Sequence, residues 1–371
     1  MEKVFNEFYN LSNIDIEAVW SNALIVFDTN ILLNFYRYSE ETITEFSNVL
    51  DEMKERLWLP YQIGKEFHEE RLNVIIQQVK VYNESISKIK DIEKEFLNEN
   101  RNPFLSNSLL QEFTSILDKV NKELEEKSEK YEASINNDDI LKKISNIFKD
   151  KVGLDYSELK TKEIYNQGNK RFNEKTPPGY EDKNKPENRK YGDLIIWFQI
   201  IDKAKEANKP IIFVTDDRKE DWWLIKSGKK ISARPELKKE FWKETNNIFH
   251  LYQPFKFLEY AKENLKISIK KATINEVKEL SSIEYSIPKP NDLLITMIME
   301  QTTPDHNLIG FIQLLELNGY DITYDKIGDS EFIIYVSILN IPDLVRRIRS
   351  KFISQLPLYG LRLIEFHPDI N

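Results

Sequence analysis

Two short apolar runs, each followed directly by acidic residues, constrain the fold of this chain more than any other feature. Residues 23–27 precede Asp28, and residues 210–215 precede Asp216 and Asp217. Apolar runs of this length predict buried strands of a parallel sheet. The carboxyl ends of parallel strands lie at one edge of the sheet, where open α/β folds build their sites. We therefore expect these acids to lie close together.

Two helices add further acids to this edge. Asp193 opens a segment that is apolar on nearly every face and continues to about Ala207, which predicts a buried helix. Glu66 lies in a second predicted helix, which begins after Pro60. The order of strand, helix, long insertion, helix and strand predicts one doubly wound α/β unit.

The chain divides into two predicted domains, residues 1–285 and 286–371, with an insertion at about 72–150. The insertion has apolar residues at spacings of three and four, interrupted at Asn102-Pro103, which predicts an antiparallel helical hairpin. It is either a solvated structural arm or a clamp for nucleic acid or a partner. The sequence of the second domain predicts a small α+β module with a βαβαβ-like order. Its predicted strands are 293–299, 331–338 and 361–366, and its predicted helices are 306–318 and 343–353. Either the hairpin or this module could also mediate homo-oligomers or recruit a protein partner.

Composition excludes several classes of site. The chain has 371 residues, no cysteine and only four widely spaced histidines, which argues against thiolate and histidine metal sites and cysteine nucleophiles. No apolar run reaches the length of a membrane span and the N-terminus does not resemble a signal peptide, so a cytoplasmic protein is expected. A formal net charge of -9 argues against binding of nucleic acid over the whole surface of the protein, but it permits a local basic stripe.

The acids could have either of two roles. Asp28, Asp193 or Asp216 alone could be a helix N-cap, and Glu66 could be a solvated helix glutamate. Together, several carboxylates at one sheet edge repel one another and need a cation, and hard divalent ions such as Mg²⁺ or Mn²⁺ prefer oxygen ligands. Two such ions would suit phosphodiester hydrolysis. The predicted ligands are Asp28, Asp193 and Asp217, with Glu66 as a further ligand or a holder of metal-bound water. Asn30 and Thr215 are predicted to orient the acids or the scissile phosphate.

Four motifs resemble those of PIN-domain nucleases. They are Val26–Leu33 around Asp28, Leu59–Phe67 with Glu66, Tyr191–Ile195 with Asp193, and Phe213–Asp217. The long insertion, the Pro-Pro-Gly-Tyr loop at 177–180 and the segment 214–222 resemble a bacterial subgroup of large PIN-like proteins.

The resemblance implies a Rossmann-like PIN-type parallel sheet flanked by helices and metal-dependent endonucleolytic cleavage of RNA or DNA. It implies that Asp28, Glu66, Asp193 and Asp217 take the four acidic positions, with Asp216 as an extra acid that could also bind metal. It also associates such proteins with phage defence or toxin activity. Because the family includes catalytically inactive scaffolds, a nucleic-acid-binding or regulatory module is the alternative.

A nuclease also needs cations that contact phosphates near the acids. Arg218 and Lys219 flank Asp217 directly, and Lys190 and Tyr191 precede Asp193. Trp222 and Trp223 are expected in the core, with base stacking as the alternative. The loop at 175–192 is either a linker or a flap that faces the substrate.

Overall fold

A computed structural model describes most of the chain. The described residues are 1, 5–9, 11–97, 105–183, 185, 189–282, 292–301, 310–312, 321–326, 331–339, 356–359 and 361–369. The chain forms two compact units, residues 1–283 and residues 284–371. None of the helices in the described part is both long enough and apolar enough to cross a membrane.

The first unit is built on a three-stranded parallel sheet with the order β1-β2-β5. The strands are β1 (Leu24–Phe27), β2 (Ile211–Val214) and β5 (Phe249–Tyr252). Leu24 pairs with Ile211 and Phe27 with Val214, so β1 and β2 end level with each other. The predicted α/β fold with a parallel sheet is therefore confirmed, and the acids after both strands lie at the same edge.

Helices surround this sheet. In chain order they are α1 (Asn13–Asn22), α2 (Thr29–Asn34), α3 (Glu40–Glu52), α4 (Tyr61–Leu97), α5 (Asn107–Ser134), α6 (Asp139–Ile147), α7 (Glu158–Asn173), α8 (Gly192–Ala207), α9 (Pro235–Thr245), α10 (Pro254–Leu265) and α11 (Lys271–Ser282). Helix α8 is buried as predicted, because Trp197 and Ile200 are inaccessible to solvent. The helix ends at Ala207 and is capped by Asn208, which adopts a left-handed conformation.

The predicted insertion forms a helical hairpin whose first helix is longer than expected. Helix α4 runs for 37 residues without interruption, so the helix that carries Glu66 continues directly into the arm. Tyr82 stacks on Tyr131 at 5.5 Å between ring centroids, and the rings of Phe96 and Phe113 are 5.4 Å apart. Since later residues of α4 meet earlier residues of α5, the two helices are antiparallel, as predicted.

Three features of the first unit were not predicted in this form. Strand β5 forms the third strand of the sheet. Strands β3 (Trp223–Lys226) and β4 (Lys229–Ala233) form an antiparallel hairpin after the second acidic motif. The segment before Pro60 forms isolated parallel bridges, one of them between Leu57 and Ile25.

The second unit contains an antiparallel sheet with the order β7-β8-β6-β9. Its strands are β6 (Asp292–Gln301), β7 (Asp321–Lys326), β8 (Glu331–Leu339) and β9 (Leu361–Asp369). Three strands match the prediction and β7 was missed, so the βαβαβ-like order lacked one strand; the pairings between the described strands of this sheet are antiparallel. The helix predicted at 343–353 lies outside the described residues, as does most of that at 306–318; residues 310–312 are helical.

Candidate active site

Asp28 is held at the end of β1 by three hydrogen bonds. Its Oδ1 accepts from the backbone N of Thr29 at 2.7 Å and thereby caps α2. Its Oδ2 accepts from Asn30 Nδ2 at 2.8 Å and from Thr215 Oγ1 at 2.5 Å. Thr215 directly follows β2, and its Oγ1 also accepts from the backbone N of Asp217 at 3.0 Å. The two acidic motifs are thus joined through a threonine hydroxyl that is inaccessible to solvent.

Glu66 reaches the same edge from the second turn of α4. Its Oε2 accepts from Thr29 Oγ1 and its Oε1 from Gln62 Nε2, both at 2.8 Å. Gly192, at the start of α8, is essential for this placement. A Cβ there would lie 2.6 Å from Glu66 Oε1, so any other residue would displace the carboxylate from its present position. Sequence patterns locate Gly192 beside Asp193, but they do not reveal this close approach.

Asp193 and Asp217 share one cation, the ammonium of Lys219. Lys219 Nζ lies 3.2 Å from Asp193 Oδ2 and 3.4 Å from Asp217 Oδ2. It also lies 2.9 Å from Oδ2 of Asp182, a buried residue that the sequence analysis did not select. We refer to Asp28, Glu66, Asp182, Asp193 and Asp217 as the acid cluster.

The loop that carries Asp182 is fastened beside the cluster. Asp221 Oδ2 accepts from the backbone N of Gly179 at 2.9 Å and from that of Glu181 at 3.3 Å. Gly179 has a φ of 89°, a conformation that favours glycine. Asp221 is inaccessible to solvent, so this contact is internal and anchors the described residues 179–181 of the loop to the first unit. The sequence marked this loop only by its Pro-Pro-Gly turn, and that turn does not identify Asp221 as the residue that anchors the loop.

Burial and mutual repulsion shift the acids towards their neutral forms. Burial raises the pKa of Asp28 to about 8, and the negative charges of Asp193, Asp217 and Glu66 add to this effect. Burial also raises the pKa values of Glu66 and Asp217, in each case with a contribution from Asp193. The pKa of Asp221 rises to about 7, mainly through burial. Displaced pKa values of this kind are characteristic of functional sites.

The other predicted site residues lie around the cluster with different environments. The backbone N of Asp216 donates to Asn30 Oδ1 at 3.1 Å, but one buried carboxylate oxygen of Asp216 has no hydrogen-bond partner within the described part of the chain. Arg218 donates to the backbone carbonyl of Ser281 on α11. The Lys190 ammonium lies 4.7 Å from the ring centre of Tyr191.

Several aromatic residues near the site belong to the interior. Tyr191 is 1% exposed and stacks on Tyr165 and Phe172, so its ring presents no open face to a substrate. Trp222 and Trp223 are also buried, as expected for core residues. Trp223 Nε1 donates to the backbone carbonyl of Asp217 at 2.8 Å, and Lys230 Nζ donates to the same oxygen at 2.8 Å.

The donors of the acid cluster suit a hard divalent cation, because all of them are carboxylate oxygens. Their present arrangement does not form a ready metal site. Among the residues that the structure describes, no three Asp, Glu or His side chains are grouped so that they could hold an ion. The position between Asp182, Asp193 and Asp217 is filled by the ammonium of Lys219.

Comparison with known proteins agrees with this architecture. The family profile described as PIN like domain matches residues 24–237, more than half of the chain. The chain belongs to the PIN-like domain family. The matched region begins at β1, includes all five residues of the acid cluster and ends within α9. No curated protein and no solved structure gives a significant match. PIN-like domains are generally nucleases and typically bind nucleic acid.

Proposed function

We propose that this PIN-like protein is an endonuclease that hydrolyses phosphodiester bonds in RNA or DNA with the aid of Mg²⁺ or Mn²⁺. One observation carries the proposal: Asp28, Glu66, Asp193 and Asp217 come from four separate segments and meet at one edge of the sheet. The hydrogen bonds of Thr29 and Thr215 and the shared ion pairs of Lys219 link them. Such convergence is costly for stability, because each acid raises the cost of ionising the others.

The surrounding side chains fix the acids before any ligand binds. Asn30 and Thr215 hold Asp28, while Thr29 and Gln62 hold Glu66. Asp28, Glu66, Asp193 and Asp217 are the residues that would hold a divalent ion after a rearrangement, because no three of the described acids are grouped for one as they lie here. The chemistry that such an ion supplies is activation of water and stabilisation of the charge on the phosphate. No side chain here needs to form a covalent intermediate.

Substrate phosphates require cations near the acids but outside the cluster. Two segments that follow acids of the cluster in sequence carry exposed lysines. Lys183 comes directly after Asp182, and Lys226 and Lys229 lie on the β3–β4 hairpin after Asp217. We propose that these residues, with Arg218 and Lys190, contact the backbone of the nucleic acid. Such contacts are independent of sequence and leave the choice between RNA and DNA to experiment.

The test is cleavage of single- and double-stranded RNA and DNA by the full chain with Mg²⁺, Mn²⁺ or EDTA. We expect cleavage that requires a divalent ion and that Asp28→Asn and Asp193→Asn each abolish, while circular dichroism shows that both variants fold. Asp51→Asn, at an exposed acid on α3, is the matched control and should cleave normally. Full activity of both site variants with Mn²⁺ would refute the proposal.

One observation favours a second candidate, a catalytically inactive PIN-like scaffold that binds nucleic acid. Lys219 already neutralises part of the acid cluster, as a site without metal would require. Titration calorimetry with Mn²⁺ separates the two candidates. A scaffold of this kind would bind no ion at the cluster but would still retain nucleic acid in a gel-shift assay.

A further inference from the structure

A cavity of the first unit lies along strand β5, and no residue of the acid cluster lines it. Its volume is about 500 Å³, which is within the range of sites that bind small ligands. The residues that line it come from β5, the β3–β4 hairpin, the helices α9 and α10, and the N-terminal segment that contains Tyr9. We refer to it as the β5 cavity.

Three pairs of a lysine and an aromatic residue line the β5 cavity. They are Lys230 with Trp223, Lys238 with Trp242, and Lys256 with Tyr260. The Lys230 ammonium lies 4.9 Å from the ring centre of Trp223. The members of each of the other two pairs are four residues apart in one helix, so they lie on the same face of α9 or of α10. Trp242 is 43% exposed, which leaves its side chain accessible to a ligand.

Two of these lysines carry a charge that no acid in contact neutralises. Lys230 Nζ donates to the backbone carbonyl of Asp217 at 2.8 Å, and Lys238 Nζ donates to that of Tyr9 at 2.9 Å. Neither ammonium forms an ion pair within the described part of the chain. Burial lowers the pKa of both lysines, so their charged forms are poorly solvated. An anion bound in the cavity would stabilise these charges.

The acids that line the cavity are engaged elsewhere. Glu7 lies near Lys238, but its carboxylate pairs with Lys239 at 3.2 Å. Asp15 accepts from the backbone N and the hydroxyl of Ser12 at the start of α1. Three lysines and two acids leave the lining with a net positive charge, which favours an anionic ligand.

His250 on β5 adds neutral polar groups to this lining. Burial lowers its pKa to about 4, so the imidazole is neutral at pH 7 and has one donor and one acceptor. Its ring packs against Tyr252 with 4.4 Å between the ring centroids, and no other described residue forms a hydrogen bond with its side chain. A donor and an acceptor on one ring match the hydrogen-bonding edge of a nucleobase.

We propose that the β5 cavity binds one nucleotide of a single-stranded nucleic acid, with its base against the aromatic side chains and its phosphates beside the lysines. Cations interleaved with aromatic rings are the arrangement by which proteins hold single strands. The inference rests on the proposed function, because it makes the cavity a subsite for the substrate. Trp223 and Lys230 line the cavity and also donate to the backbone carbonyl of Asp217, each at 2.8 Å. A strand bound in the cavity therefore lies next to the turn that carries Asp217.

The test is fluorescence anisotropy of a labelled single strand of about 12 nucleotides, as RNA and as DNA, with the full chain in EDTA. Trp242→Ala should raise the Kd by about 10-fold because the base loses a stacking surface, whereas Trp242→Phe keeps a ring and should stay within about 3-fold of the wild type. Lys238→Met should also weaken binding and reduce its dependence on salt, because a phosphate contact is lost. Lys243→Met, at an exposed lysine beside Trp242 that does not line the cavity, is the matched control and should bind like the wild type.

An unchanged Kd in both Trp242→Ala and Lys238→Met, or no binding of either strand by the wild type, would overturn the proposal. Two competitors identify the occupant. A nucleoside monophosphate that displaces the strand as well as unlabelled strand does would assign the cavity to a free nucleotide, and polyglutamate that does so would assign it to an acidic chain; either result would overturn the proposal. If Trp242→Ala does not fold, Lys256→Met, at an exposed lysine of α10, takes its place.

The failure of this inference is distinguishable from the failure of the proposed function. Binding is measured in EDTA, whereas the nuclease is tested separately by cleavage with Mg²⁺ or Mn²⁺. Absence of cleavage with a 10-fold loss of binding in Trp242→Ala would refute the nuclease and retain the cavity as a nucleotide site. Cleavage with an unchanged Kd in the cavity variants would do the reverse.

Discussion

Asp28→Asn should stabilise the protein at neutral pH in EDTA, although it removes a residue of the proposed active site. The pKa of Asp28 rises from 3.8 to about 8 in the folded chain, mainly because the carboxyl is buried and faces other acids. At pH 7 the folded chain therefore keeps Asp28 protonated, although pH 7 lies about three pH units above the pKa of this carboxyl in the unfolded chain. At about 1.4 kcal/mol per unit this is a cost of about 4 kcal/mol as an upper bound.

The substitution also has a cost of its own. Asparagine can still cap α2 through its Oδ1, since Asn and Asp cap helices about equally well. Its amide group, however, would face Asn30 Nδ2, so the bond of 2.8 Å between Asn30 and Asp28 is lost. Losing such a bond costs about 1–2 kcal/mol. The net stabilisation at pH 7 is then roughly 1–3 kcal/mol, or a rise in Tm of roughly 2–10 °C.

The sign of the pH dependence is the sharper test. Between pH 4 and pH 8 the folded chain retains a proton on Asp28 that the unfolded chain has released, so wild-type stability falls as pH rises. Asp28→Asn should flatten this slope, with a gain largest near pH 8 and absent near pH 4.

All six tryptophans lie within residues 1–283, so fluorescence-detected melting reports on this unit. Asp51→Asn is the control and should not change the slope. A variant that is less stable at pH 8, or a difference that is independent of pH, would refute the reasoning.

Two further predictions concern the neighbours of the acids. Gly192→Ala should slow cleavage by up to ~100-fold, because the added Cβ would lie 2.6 Å from Glu66 Oε1 and displace the carboxylate. The free energy of unfolding should change by about 1 kcal/mol. An unchanged cleavage rate would contradict this placement of Glu66. Asp221→Ala should destabilise the fold by about 2–4 kcal/mol and accelerate proteolysis of the loop, because the backbone N–H groups of Gly179 and Glu181 lose their acceptor. Asp221→Asn keeps an acceptor and should restore both properties, and equal proteolysis of the two variants would count against the anchor.

The sequence predicted the parts of the fold that depend on local apolar patterns. Strands β1 and β2 and helix α8 were predictable because their residues are buried on all sides and hence continuously apolar. Strand β5 was missed because four residues that include His250 give no clear pattern. The β3–β4 hairpin was missed because lysines dominate its sequence, and a left-handed Ser227-Gly228 turn determines it.

Residues after strands were easier to select than residues brought in by loops. Asp28 and Asp217 follow apolar runs, so the topology of the sheet alone predicts that they meet. Asp182 reaches the cluster only through the packing of its loop against Asp221, which no local pattern records. Lys219 was selected as a phosphate contact because it flanks an acid. Only the structure reveals that its ammonium lies among three carboxylates.

Helix α4 gives the acid cluster a mechanical connection to a distant surface. Its 37 uninterrupted residues correspond to a rod about 55 Å long, with Glu66 near one end and the arm along the rest. Because the helix is continuous, a force applied to the arm by a partner or by a bound polymer would be transmitted along it to Glu66. The Glu66 carboxylate accepts hydrogen bonds of 2.8 Å on both of its oxygens, so a displacement of this end of the helix would lengthen both. A force on the arm would therefore change the position of Glu66 within the acid cluster.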